Sequence, residues 1–350
     1  MFLKRFNSLR LSARVLAVIV LLGSYAAAGT SDWRFGIGTS LLPSPMAAGE
    51  DAAIQARKQF GEGEAKLVLL FPVIAQVTPE MVAGVAKHFP REIIYGGEVV
   101  APLTPVTNLP DAKNLNPEAG VGVLVLGGDF ELTIVHDQVR MVETAAKEGG
   151  DDGEEEDTFF NFHESGHRLG DMLAGAYHKA GPSGRLLVTF GDQYNGSNDL
   201  LASGIQDALG GPVALIGGAT WSKTGKQIIA GEITTRKNFV ALFRGDFFVT
   251  QALQGGMHTA EVAQKVIAST WEQGKGAEPF FAFIFNCRRR RTEMIARGLL
   301  GEELSVMQRS FKGVPFFGGY GPGEIGVRTP GTAAIGTGFS VSVALLFPNK

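Results

Sequence analysis

Short apolar runs of strand length recur along the chain, and each is followed by a polar loop, a helical pattern and a second apolar run. This order is met three times, and every copy ends in two consecutive glycines. The copies start at 67–71, 186–190 and 281–285 and end at Gly96-Gly97, Gly217-Gly218 and Gly318-Gly319. Between these ends the sequence predicts one helix in each copy, from Pro79 to about 87, over 199–209 and near 292–309. A strand–helix–strand unit repeated in this way predicts an α/β protein with internal structural repetition.

Segments of alternating apolar and polar residues lie between these units. Residues 121–126 and 130–135 are predicted to form a hairpin, and 228–234, 238–243 and 247–253 a meander. Helical crossovers combined with antiparallel segments favour mixed parallel and antiparallel sheets over one all-parallel sheet. The predicted fold class is therefore α/β with mixed sheets, in two packed halves that meet near residues 245–256.

The first thirty residues differ from the rest in charge. Residues 1–31 contain four basic residues and no acid, an apolar run covers 15–22, and an Ala-x-Ala sequence ends at Ala28. This order is typical of a secretory signal peptide, so we expect cleavage near Ala28 and export to a periplasm or the exterior. An organellar presequence is one alternative, and an uncleaved anchor or a misassigned start is another. No later run reaches eighteen apolar residues, so we expect no membrane span in the mature chain.

Composition narrows the classes of partner. The chain has 350 residues, 45% of them hydrophobic, and a net charge of −3, which is ordinary for a globular protein and argues against binding of nucleic acid. The single cysteine, Cys287, excludes an intramolecular disulfide and a cysteine-only zinc site. The acidic run at 147–157 predicts a solvated surface loop.

His163 and His167 are the outer residues of an H-E-x-x-H motif, which on a helix can hold zinc beside a general base. The extended motif needs a third histidine six residues later, where the chain has Leu173. Glu164 also stands four residues before Arg168, in the favourable order for a helical ion pair. We therefore expect no metal here and keep His163 and His167 as ligands of an alternative site only.

The third unit carries the most specific chemistry. Cys287 is followed by four arginines, and cations at the start of a helix oppose its dipole. They predict an anionic ligand or an internal acidic partner. Glu324, in a glycine-rich segment after the next strand, is a candidate for that partner or for a ligand clamp with Arg290. Cys287 is expected to be an inert buried thiol, with a reactive nucleophile as the alternative.

These residues resemble a known family. A strand ending in Asn-Cys-x-x-Arg, a helix, and the sequence Val-Pro-Phe-Phe-Gly-Gly-Tyr-x-x-Gly-Glu-Ile-Gly at 314–326 resemble the C-terminal domain of the FIST (F-box and intracellular signal transduction) family. Trp33, the run at 67–71 and the Gly217-Gly218 turn resemble its N-terminal domain. Besides the targeting segment that the charge pattern predicts at 1–30, the resemblance implies a FIST N-like domain at 31–245 that contains the acidic loop, and a FIST C-like domain at 246–350.

The resemblance also implies a function. We expect a sensory, signal-transducing, non-enzymatic protein without a cofactor, which binds a small polar ligand such as an amino acid. Arg290 would meet an anionic group, and Glu324 a cationic group or Arg290 itself. The predicted ligand-binding residues are Gly96, Gly97, Asp192, Gly217, Gly218, Cys287, Arg290, Gly319, Tyr320, Gly323 and Glu324. Hydrolysis, through zinc on the histidine motif or through Cys287, and a ligand-free interaction scaffold are the alternatives.

Overall fold

The computed structural model describes residues 32–105, 120–142, 159–181, 183–192, 197–220, 225–256 and 259–349. These residues form three consecutive units of one design, which we number 1 to 3. Each unit consists of a strand, a helix, a strand, a helical segment and a strand in this order. A short strand or hairpin follows, which we call the excursion, and a long strand closes the unit. The predicted targeting segment at 1–30 and acidic loop at 147–157 lie outside the described residues.

Unit 1 places its two central strands in parallel, and its first and last strands pair antiparallel beside them. Its second helix begins where the sequence predicts, at Pro79, and the hydroxyl of Thr78 accepts a hydrogen bond from the N–H of Met81 at 3.3 Å. The elements are β1 (Trp33–Ser40), α1 (Pro45–Phe60), β2 (Ala65–Pro72), α2 (Pro79–Ala86), β3 (Ile94–Gly97), β4 (Ala101–Leu103) and β5 (Val121–Gly128).

Unit 2 repeats the arrangement, with a parallel central pair and an antiparallel closing strand. Its elements are β6 (Glu131–Gln138), β7 (Met141–Val142), β8 (Phe159–Phe160), α3 (Phe162–His178), β9 (Gly184–Asp192), α4 (Ser197–Ala208), β10 (Leu215–Thr220), β11 (Lys226–Ile229), β12 (Glu232–Thr235) and β13 (Lys237–Gly245). β7 and β8 pair only with each other among the described residues.

Unit 3 has two helices where the sequence predicts one near 292–309, because the chain turns at Gly298, which has φ +70°. Its elements are β14 (Phe247–Gly255), α5 (Glu261–Gln273), β15 (Phe281–Cys287), α6 (Arg288–Ala296), α7 (Leu300–Phe311), β16 (Phe316–Gly321), β17 (Glu324–Val327), β18 (Ala334–Thr337) and β19 (Ser340–Pro348).

Each unit lends its excursion to the sheet of another unit. β4 of unit 1 pairs with β16, β11 of unit 2 pairs with β3, and β17 of unit 3 pairs with β10. The three large sheets of the described chain are therefore β1-β5-β2-β3-β11-β12, β6-β13-β9-β10-β17-β18 and β14-β19-β15-β16-β4. The exchange is cyclic, so every sheet contains strands from two units.

The predicted fold class is confirmed: the protein is α/β, with mixed sheets, repeated strand–helix–strand units and packed halves. The predicted hairpin and meander are wrong. β5 and β6 belong to different sheets, as do β13 and β14, because the chain passes to the next unit at Asp129 and Asp246. An alternating pattern shows that one face is buried, but it does not identify the neighbouring strand.

The inner faces of the three sheets meet in a central aromatic core. Phe71, Phe190 and Phe285 stand at equivalent positions near the ends of β2, β9 and β15, with ring centroids 4.8 to 6.3 Å apart. Phe190 pairs with Gly218 and Phe285 with Gly319 across the parallel ladders. A Cβ on Gly218 would lie 2.7 Å from the ring of Phe285. The double glycines therefore let the three sheets approach one another.

Helices cover the outer faces of the sheets. Among the described residues, no helix has both the length and the apolar character needed to cross a membrane.

Candidate active site

The carboxyl end of β15 carries a thiol at the start of a helix. Cys287 is the last residue of β15 and the residue before the first turn of α6, and it is only 2% exposed. Side chains alternate along the strand, so Cys287 lies on the same face as Phe283 and Phe285, at the edge of the central core. The fold therefore places the thiol between the N–H groups at the start of α6 and the central aromatic core.

A carboxyl group is buried beside this thiol. Glu324, the first residue of β17, is fully buried, and its Oε2 accepts hydrogen bonds from the Ser340 N–H at 3.2 Å and the Ser340 hydroxyl at 2.6 Å. Its Oε1 has no hydrogen-bond partner among the described residues. Burial raises the pKa of Glu324 to about 8, against the opposing effects of Ser340, Cys287 and the positive charge of Arg290.

The surroundings of Cys287 act on the pKa of its thiol in opposite directions. Burial raises the pKa of the thiol, and so does the nearby negative charge of Glu324. The backbone N–H groups of Phe339, Arg289 and Arg290 face the sulfur and lower this pKa. A thiolate, or an oxyanion formed beside it, would thus be stabilised by fixed N–H dipoles once the proton has left.

The internal repeat shows what is special about unit 3. The second residue after the central phenylalanine is Val73 in unit 1, Asp192 in unit 2 and Cys287 in unit 3. Glu324 pairs with Gly218, and at the equivalent place Gln227 pairs with Gly97. Within the described ranges, unit 3 is the unit that joins a thiol to a carboxyl.

The same comparison explains the unpartnered oxygen. Gln227 is fully buried like Glu324, but its Nε2 donates a hydrogen bond to the hydroxyl of Thr220 at 3.0 Å. Two residues after the double glycine, unit 3 has Gly321 instead of a threonine. Glu324 therefore lacks the hydroxyl that completes the bonding of Gln227, and its Oε1 is left to accept a proton from another group.

The predicted clamp between Arg290 and Glu324 is not formed. Arg290 is fully buried and pairs with Glu303 of α7, with Nη2 to Oε1 at 2.5 Å. The other oxygen of Glu303 accepts a hydrogen bond from the hydroxyl of Tyr320 at 2.9 Å, and Arg290 Nε donates to Asn286 Oδ1 at 3.1 Å. Arg290 also donates to the carbonyl of Gly256. Arg290 therefore has an internal acidic partner, but that partner is Glu303 of α7 and not Glu324 of β17.

The predicted glycines lie in the strands around the central core. Gly96, Gly97, Gly217, Gly218 and Gly319 each sit where a Cβ would lie within 2.8 Å of a neighbouring atom. These contacts are packing contacts between sheets and strands. The ligand-binding role of these glycines stays a prediction.

Three other predicted residues also lie near strand ends. The N–H of Asp192 donates to Asn238 Oδ1 at 2.9 Å, Tyr320 bonds to Glu303, and Gly323 is buried directly before Glu324. Of all the predicted residues, Cys287 and Glu324 are the pair that the structure joins at one chemical site. Ser340 and the N–H of Phe339 belong to this site but could not be predicted from the sequence, because their positions depend on the register between β15 and β19.

The H-E-x-x-H motif lies on the exposed side of α3. His163 Nε2 is 2.9 Å from Asp207, and His167 Nδ1 is 3.0 Å from Asp171. Glu164 pairs with Arg168 as predicted. No group of three or more histidine, cysteine, aspartate or glutamate residues in the described ranges is placed to hold a metal ion. The histidines thus have surface partners, and no third ligand stands with them.

A cavity of about 330 Å³ opens between β14 and α5, with Leu253, Gly255, Val266 and Arg328 in its wall. Gly255 pairs with Ser340 in the ladder between β14 and β19. The cavity therefore lies one strand away from the hydroxyl that binds Glu324.

Comparisons with known proteins give a fold likeness. No known family model matches the chain, and no curated protein matches it. A cyanuric acid hydrolase described as an evolutionary innovation by structural concatenation aligns over 91% of this chain and all of its own, with 12% identity and a TM-score of 0.41. The cyanuric acid hydrolase from A. caulinodans aligns over 91% of this chain and 99% of its own, with 9% identity and a TM-score of 0.43.

These comparisons correct the expected function. Both solved structures are named as hydrolases, whereas the FIST resemblance implied a non-enzymatic, sensory and signal-transducing protein. That expectation is wrong, and the missing clamp between Arg290 and Glu324 removes the basis for an amino-acid site. Membership of the FIST family itself stays a prediction. The likeness carries neither substrate nor mechanism, so the chemistry has to come from the residues of this chain.

Proposed function

We propose that the protein is an enzyme of acyl transfer or hydrolysis, with Cys287 as the nucleophile and Glu324 as its general base. The observation that carries the proposal is the fully buried carboxyl of Glu324, whose Oε1 is unpartnered beside the single thiol of the chain. A buried acceptor without a donor costs free energy, and such groups are kept where chemistry uses them. A small ester, thioester or amide is the class of substrate that suits a thiol nucleophile.

The first half of the reaction forms a thioester. Glu324 takes the proton of the Cys287 thiol, and the sulfur attacks the carbonyl carbon of the substrate. The oxyanion that develops lies near the N–H groups of Arg289 and Phe339, which already face the sulfur. As the carbon–leaving-group bond breaks, Glu324 returns its proton to the departing alcohol, thiol or amine.

The second half regenerates the thiol. Glu324 takes a proton from water, the resulting hydroxide attacks the thioester, and the carbon–sulfur bond breaks. The proton on Glu324 passes to the sulfur, and the acid product leaves. One carboxyl thus serves both halves, and its raised pKa of about 8 makes it a stronger base than an ordinary glutamate.

The test is to trap the acyl-enzyme. The full chain is incubated with p-nitrophenyl acetate and a panel of small thioesters and amides, and its intact mass is followed. We expect one acyl group on Cys287, none on a Cys287→Ala variant, and a rate lowered roughly 10²- to 10⁴-fold in Glu324→Gln. Glu302→Gln, on the exposed face of α7, is the matched control and should acylate normally.

Two results would contradict this function. One is the absence of any acyl adduct on the folded wild-type chain across the panel. The other is an adduct that persists in Cys287→Ala, because it would place the nucleophile elsewhere.

A further inference from the structure

The start of α6, directly after Cys287, is cationic. Arg288 and Arg289 are the first two residues of α6, and that helix has no acidic residue in its first turn. Arg289 is exposed, and its guanidinium carbon lies 4.8 Å from the centroid of the Phe339 ring. Among the described residues, Arg289 forms no ion pair. Its charge therefore opposes the helix dipole, and in the part of the chain that the structure describes no carboxylate pairs with it to offset that effect.

The neighbouring arginines are compensated differently. Arg290 has the carboxylate of Glu303, and Arg291 lies 5.9 Å from the ring of Tyr320. Burial lowers the pKa of Arg288, and the nearby positive charge of Arg289 lowers it further. Two like charges at one helix start are an unfavourable arrangement that an anionic group would relieve.

Phe339 links Arg289 to the nucleophile. Its backbone N–H faces the sulfur of Cys287, and its ring lies under the Arg289 guanidinium. Phe339 also has φ +59°, a left-handed conformation that is unusual for a side chain of this size. One strained residue thus contacts both the sulfur and the arginine, so a small molecule bound at Arg289 would have its near end at the thiol.

We infer that the substrate carries a carboxylate, which binds to Arg289 while its electrophilic carbon lies at Cys287. This inference rests on the proposed thiol chemistry. The opposing account is that Arg289 stabilises the thiolate itself by its charge. The two accounts differ because a charge that acts on the sulfur accelerates every reagent, whereas a carboxylate site accelerates only anionic ones.

Two alkylating reagents of nearly equal size separate these accounts. Iodoacetate carries a carboxylate and iodoacetamide is neutral, and the single cysteine makes the adduct unambiguous. Rates are measured on the full chain by intact mass and divided by the rates for 2-mercaptoethanol in the same buffer. We expect the wild-type chain to favour iodoacetate at least about fivefold after this correction.

Variants then locate the preference. Arg289→Gln keeps the backbone N–H that faces the sulfur and removes only the side-chain charge, so it should lower the iodoacetate rate about five- to tenfold and leave the iodoacetamide rate within about twofold. Arg297→Gln, an exposed arginine at the other end of α6, is the matched control and should change neither rate. Circular dichroism confirms that both variants are folded.

Each outcome decides the question. A selective loss with iodoacetate in Arg289→Gln supports the carboxylate site. Equal losses with both reagents, or no change, overturn it while leaving the nucleophile intact. If neither reagent labels the folded chain, the proposed nucleophile fails, and the inference fails with it.

Discussion

Glu324 and Gln227 accept equivalent backbone hydrogen bonds, from the N–H of Ser340 at 3.2 Å and from the N–H of Lys237 at 3.3 Å. One position of the repeat thus takes a neutral amide in one unit and a carboxyl in another. Because Gln227 is fully buried in the same backbone setting, Glu324→Gln should fold. The carboxyl of unit 3 is therefore not required by the architecture.

The pH dependence of stability should change in Glu324→Gln. The pKa of Glu324 rises from its ordinary value near 4.5 to about 8 on folding, so the native state holds a proton that the unfolded chain releases. Wild-type stability should therefore fall relative to the variant between these values, by about 1.4 kcal/mol per pH unit, and the difference should be constant above pH 8. Urea unfolding at pH 5, 7 and 9 measures it.

Glu302→Gln is the control for that experiment, since its exposed carboxyl should give a curve parallel to the wild type. A Glu324→Gln effect independent of pH would mean that the buried carboxyl has no raised pKa.

The rate of acylation should rise with pH through about 8. Glu324 accepts the thiol proton only when it is itself ionised, and burial delays that ionisation. The rate constant for acylation by p-nitrophenyl acetate, followed by release of p-nitrophenol from pH 6 to 10, should show this inflection in the wild type. In Glu324→Gln it should disappear. An inflection retained in the variant would assign the titration to another group.

Removal of one member of the buried ion pair should be costly. Arg290→Met leaves Glu303 buried with Tyr320 as its one remaining partner among the described residues, and we expect a loss of about 3–5 kcal/mol in the free energy of unfolding. Arg290→Met combined with Glu303→Met removes both charges and should be less destabilised than the sum of the single variants. Urea unfolding of the four proteins completes the cycle, and additive effects would mean that the two groups do not interact.

The double glycines should tolerate no side chain. Gly218→Ala would place a Cβ 2.7 Å from the ring of Phe285, and we expect a destabilisation of about 1–3 kcal/mol. Gly175→Ala, on α3, is the control: apart from the helix's own backbone, no atom of the described residues lies within 4 Å of its Cβ, so the substitution should stabilise the helix by up to about 1 kcal/mol. Thermal unfolding of both variants measures the contrast, and equal effects would show that the sheets can separate at Gly218.

Much of the architecture is predictable because the repeat is local. Each strand–helix–strand unit lies within a short stretch of chain, and the double glycines signal a close approach that the rings of Phe190 and Phe285 then make. The sheet neighbours are not predictable in the same way. The sequences of β5 and β6 look like a hairpin, yet the chain passes from unit 1 to unit 2 between these strands. Two strands show the same alternating pattern whether they pair with each other or belong to different sheets.

The candidate site was predictable in its residue types and only partly in its pairing. Cys287, Arg290 and Glu324 stand out from the sequence, but charge alone does not say which acid meets which base. Glu303 lies on α7, and the prediction of a single helix there concealed the turn that brings it to Arg290. The role of Ser340 as a partner of Glu324 follows only from the register of β19 against β15, which the sequence does not show.

The cyclic exchange of strands has a consequence for synthesis on the ribosome. β10 is completed by β17, which is made about a hundred residues later, so unit 2 emerges with an open sheet edge. Until unit 3 is released, that edge is free to pair with another nascent chain. A stop codon placed after β13 would therefore leave the polypeptide with this edge permanently bare, and we would look for it in inclusion bodies.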